Sequence, residues 1–113
     1  MSAILVYVTC KNEREAFAIA HELVSSEIAA CANIIPETKA VFKWEGIIQE
    51  QSEAIVILKS QKARLEEVTE RIQQIHSYDL PCILYVSIEG GNPEFIKWIF
   101  SNSKNSTIRY NDS

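Results

Sequence analysis

Three cysteines and two histidines are the side chains of this 113-residue sequence best suited to soft or borderline metal ions. Their spacing decides whether they can act locally. Cys10, Cys31 and Cys82 lie far apart, as do His21 and His76, and no C-x-x-C or H-x-x-x-H pair occurs. Any metal site must therefore be assembled by tertiary folding or between subunits. Cys10 and Cys31 also fit a simpler role as small core residues at strand ends. Cys82, beside Pro81 and close in sequence to His76, is the better soft ligand. A His76 and Cys82 pair would take Cu(I) or Zn²⁺ and release it as the imidazole protonates.

The stretch His76, Tyr78, Asp79 carries two readings. An imidazole at a helix C-terminus is favoured by the dipole and caps the last carbonyls. Equally, the three polar groups form a corner able to bind a cation or a small anion. Glu53 and Lys59 share one face of a strand, too far apart along it to touch. Trp44 and Trp98 are expected to pack, most naturally in an interface. Nucleophilic catalysis finds no support, because no serine lies in a Gly-x-Ser-x-Gly elbow and nothing marks a base for any cysteine. The glycines are Gly46, Gly90 and Gly91, which do not make a phosphate-cradling loop. Neither a catalytic residue nor an organic cofactor is expected.

The elements that must position these groups follow from periodicity. Ala3 to Cys10 is a continuous β-branched apolar run, a strand covered on both faces or buried centrally. Asn12 as cap, then Glu13, Glu15, Ala16, Ile19, Ala20, Leu23 and Val24, predicts a helix from about Glu13 to Glu27. Cys31 to Trp44 reads as a long strand interrupted at Pro36, which marks a bulge or an edge. Gly46 supplies a tight connection to a second long strand, Ile47 to Lys59, and the two make a protruding hairpin. Gln61 to His76 is a second amphipathic helix, Cys82 to Ile88 a strand, and Pro93 to Phe100 a short helix capped by Asn92.

Strand, helix, strand, strand, helix, strand is the ferredoxin-like, split βαβ order of an α+β sandwich, an antiparallel sheet with helices on one face. Residues 1–102 make one domain, and a polar tail over 103–113 is expected to fray. The uncovered sheet face and the long edges call for an oligomer. A net charge of −4 with no basic stripe argues against nucleic acid. No bilayer-length apolar run, no signal-peptide pattern and an odd number of cysteines together predict a cytoplasmic protein with reduced thiols. The triplets at Asn105 and Asn111 match a glycosylation signal but carry no weight without export.

Taken together, Val6 to Cys10, Ala29-Ala-Cys-Ala-Asn-Ile-Ile-Pro36, Phe42-Lys-Trp-Glu-Gly46, Ile57 to Lys59, His76-Ser-Tyr-Asp-Leu-Pro81 and Phe95 to Trp98 resemble the CutA divalent-cation-tolerance family. The resemblance runs from Ala3 to about Ile99. It implies a homotrimer similar to the PII signalling trimers, an association with copper or another divalent cation, and no established reaction. It also implies an intersubunit cleft, to which we assign Cys31, Trp44, Glu53, Lys59, His76, Tyr78, Asp79 and Trp98. Where the family usually has His-Pro-Tyr-Glu and then Pro-Glu, this chain has Ser77, Asp79 and Cys82, and Phe42 stands where a tyrosine is common. Cys82 thus trades a hard oxygen for a soft sulfur, or simply fills a strand position. The expected function is a non-enzymatic, metal-binding trimer contributing to cation tolerance. The alternative is a PII-like trimer sensing a small anion in its cleft and signalling to a protein partner.

Overall fold

Alternation along the first strand, β1 (Ala3–Cys10), turns Ile4, Val6, Val8 and Cys10 to one face, where each is buried. That face is the floor of the core, and the computed structural model, which describes residues 2–104, builds everything else around it. The helix α1 (Glu13–Ser25) starts at Asn12, whose side chain accepts the Glu15 amide, and buries Glu15, Ala16, Ile19, Ala20 and Leu23 against the sheet. It ends two residues before the expected Glu27. The Ser25 and Ser26 hydroxyls bond back to the His21 and Glu22 carbonyls, and Glu27 turns the chain with a φ of 63°.

The hairpin strands are β2 (Cys31–Trp44) and β3 (Ile47–Gln61), joined through Glu45 and Gly46, both at positive φ as a two-residue primed turn requires. Their register slips between Ile35 and Thr38, around Pro36, which is the irregularity the proline predicts. A 3₁₀ turn, Lys62–Arg64, then precedes α2 (Leu65–Ile75), so this helix begins later than its sequence pattern suggests. Gln61 is still in the ladder, paired with Ala3. The last elements are β4 (Ile83–Ser87) and α3 (Pro93–Ser101), the latter capped by Asn92.

The sheet order is β2-β3-β1-β4, antiparallel at every step, which is the ferredoxin-like arrangement. One core joins the inward face of β1 and β3 to α1 and, through Val68 and Ile72, to α2. A small second cluster sets Ile99 of α3 against Ala3 and Ala30. Of the two readings of β1, the central position holds, since it pairs with both β3 and β4, whereas cover on both faces is met only on one side within the protomer: Leu5, Tyr7 and Thr9 are only partly buried. The hairpin stretches the molecule to 53 Å by 29 Å by 22 Å and leaves Val41, Trp44, Ile47 and Ile48 each more than 60% exposed. No helix among the described residues is long and apolar enough to cross a membrane. Most of the 103–113 tail, with both glycosylation triplets, lies outside the described residues.

Candidate functional site

The end of β1, the first turn of α1 and the end of α2 meet at one corner of the molecule. Glu15 lies there because it continues the apolar stripe of α1, four residues before Ile19 and eight before Leu23, and so is carried inward. It is only 9% exposed. A buried carboxylate needs donors, and two of them here are backbone amides: that of Lys11 donates to Oε1 at 2.9 Å and that of Ser77 to Oε2 at 2.7 Å. Burial alone would raise its pKa, but these bonds, with one from the Ser77 side chain, hold the carboxyl below its ordinary value.

His76 caps α2 by its amide, which donates to the Ile72 carbonyl, while its side chain is wholly buried. The cap is thus made by the backbone amide and not by the imidazole, whose ring nitrogens are bonded to Thr9 and Tyr78 instead of to the last carbonyls of α2. Ring Nε2 lies 2.8 Å from the Thr9 carbonyl and must donate to it, whereas Nδ1 accepts the Tyr78 amide at 3.0 Å. Those partners assign the neutral tautomer protonated on Nε2. Nδ1 also faces Glu15 Oε2 at 3.9 Å.

Cys10 completes the corner. Its Sγ, a Glu15 oxygen and a His76 ring nitrogen all lie within 4.8 Å of one another. The thiol is pushed up to about 12 by burial and by the negative charges of Glu15 and Glu53. Glu53 approaches from β3, one residue from the Cys10 partner Ala54, and accepts the Tyr78 hydroxyl at 3.2 Å. Tyr78 in turn accepts Gln51 Nε2 at 3.1 Å, and burial and Glu53 raise its phenol. A polar cavity of about 170 Å³ opens alongside, walled by Lys11, Asn12, Pro36, Ser52 and Glu53.

Of the sequence candidates, the protomer thus gathers His76, Tyr78 and Glu53. Asp79 follows them but is exposed. Cys82 is partly buried and does not belong to the Cys10, Glu15 and His76 cluster. Cys31 pairs in register with Lys59, whose ammonium bonds Asn33, at a point on β3 six residues from Glu53 and so about 20 Å away. Cys31 also lines a separate groove with Phe17, His21 and Ile34. Trp44 stands at the hairpin tip, 65% exposed, and Trp98 stacks on Phe95 at 5.3 Å on the surface of α3. Cys10 is the core residue its sequence setting suggests, yet it faces ligands as well. Glu15, in sequence only an early acid of α1, is the site residue missing from the candidates, and an acid on the apolar stripe of a helix is the signal for it.

The CutA1 divalent ion tolerance protein family matches residues 4–102 of the chain. A "Divalent-cation tolerance protein CutA" of Archaeoglobus fulgidus is 39% identical over 94 residues, covering 83% of this chain and 91% of its own. "Protein CutA, chloroplastic" of Arabidopsis thaliana is 35% identical over 103 residues, 91% of this chain and 57% of that protein. The chain spans 55–62% of the length of its plant, frog and mouse relatives. The crystal structure of CutA1 from Oryza sativa superposes with a TM-score of 0.89 at 33% identity, covering 92% of this chain and 95% of its own.

Proposed function

We infer a function from one premise: this chain belongs to the CutA1 divalent ion tolerance family. It acts as a non-enzymatic homotrimer that binds a divalent metal, copper or a similar ion, and thereby contributes to divalent-cation tolerance. The family match over 99 residues, 4–102, carries this reading. Two features of the protomer support it. Long hairpin strands with apolar side chains on the surface gain most from burial against further copies, and β2 and β4 each offer a free edge for pairing. The buried corner at His76 is lined by the carboxylates of Glu15 and Glu53, which attract a cation and repel an anion.

In a trimer the surface side chains Trp44, Lys59, Asp79 and Trp98, with Cys31, would meet residues of other subunits and form the intersubunit cleft. Three cysteines outside any disulfide fit a reducing cytosol. Titration calorimetry of reduced, tag-free protein with Cu²⁺, Zn²⁺ and a panel of nucleotides tests the proposal. Saturable binding of metal is the expected result. Binding of a nucleotide without metal would favour the PII-like alternative and overturn ours.

A further inference from the structure

We propose that Cys10 Sγ, a Glu15 carboxylate oxygen and His76 Nδ1 form a three-point site within each protomer for one borderline divalent cation, zinc or cobalt, with solvent completing the shell. This rests on the reading of the protein as a divalent-cation binder, and it names ligands that the sequence did not place together. A thiolate, an imidazole and a carboxylate are a ligand set suited to such ions, and a three-residue set leaves one tetrahedral position open.

The geometry is close to what is needed. Bond lengths of about 2.0–2.3 Å put neighbouring ligand atoms of a tetrahedral zinc shell roughly 3.3–3.7 Å apart. His76 Nδ1 lies 3.9 Å from Glu15 Oε2, and the Cys10 sulfur, a Glu15 oxygen and a His76 ring nitrogen lie within 4.8 Å of one another, so contraction by about 1 Å, with adjustment of the ring, closes the shell. They come from β1, α1 and the end of α2, which one core fixes against one another. His76 is also preset for coordination: Nε2 donates to the Thr9 carbonyl, which leaves the lone pair on Nδ1, as an outer hydrogen bond does in metal sites. Nδ1 must exchange the Tyr78 amide for the ion. Glu15 keeps room for the ion, since the Lys11 amide and the Ser77 amide and side chain take three of the roughly four lone-pair sites of its carboxylate.

Charge and protons balance. As the metal–sulfur bond forms, the Cys10 S–H bond breaks and its proton passes to solvent, so a dication meets one thiolate and the Glu15 carboxylate and the three-ligand set is neutral, with the Glu53 carboxylate beyond it.

Cobalt titration of the reduced, tag-free full chain, read by the sulfur-to-cobalt charge-transfer band and by calorimetry with zinc, tests the site. One ion per protomer with a thiolate band is expected. The double variant Cys31→Ser/Cys82→Ser, which keeps Cys10 as its one thiol, should retain the band. Cys10→Ser should lose it, and Glu15→Gln should weaken binding at least about tenfold. A band lost in the double variant overturns the site even if Cys10→Ser fails to fold. Calorimetric binding with no thiolate band would overturn this site and leave the divalent-cation reading standing. Absence of any binding by wild type would overturn both.

Discussion

Glu15 sits where a leucine would pack, and the amides of Lys11 and Ser77 keep it ionised there. Its folded pKa is depressed below the ordinary 4.5, so between the two values the unfolded chain binds more protons. Its contribution to stability is therefore present above the unfolded value and is lost as pH falls through the folded one. In metal-free protein, Glu15→Gln should flatten the fall in melting temperature between about pH 5 and pH 2. Parallel curves for variant and wild type would remove Glu15 from the account. Cys10 behaves oppositely, as a buried thiol raised to about 12. Under native conditions at neutral pH it should resist alkylation while Cys31 and Cys82, both partly exposed, react first; mass mapping that finds Cys10 among the early labels contradicts its burial. At this scale the sequence displayed His76 and Tyr78 but hid their partners. Acid near a helix start is favoured by the dipole in any case, so Glu15 looked ordinary until its place on the apolar stripe was considered.

The elements hold these residues at fixed separations, and their ends are set by particular side chains. Asn12 Oδ1 accepts the amide of Glu15 itself, so Asn12→Ala should cost about 1 kcal/mol in denaturant unfolding. A value near zero would mean that water replaces the cap. In the core, Ile72 joins α2 to the sheet with no exposed surface. Ile72→Ala should cost roughly 2–5 kcal/mol and loosen the His76 corner with it. Strand and helix identities, the cap at Asn12, the bulge at Pro36 and the turn at Gly46 were all legible, because each rests on a local rule. The start of α2 was not. Gln61 has a helical pattern after it but a β partner, Ala3, that lies far away in sequence, and the ladder prevails.

For the whole molecule, the antiparallel order and the packing of α1 and α2 on one face follow from chain order and hydrophobic pattern, whereas the partner surfaces are less accessible to such reasoning. A sequence says that Trp44, Ile47 and Ile48 need cover; it does not say which face of another chain supplies it. Because Trp44 is mostly exposed in the protomer, Trp44→Ala should leave the core intact yet lower the melting temperature most at low protein concentration, where assembly is already weakest. A loss independent of concentration would place its role inside the protomer. Native mass spectrometry of the reduced, tag-free protein with and without zinc tests trimer and metal site together. One species near three times 12.8 kDa that gains three zinc ions is expected. A monomer, or a trimer whose mass is unchanged by zinc, would contradict it.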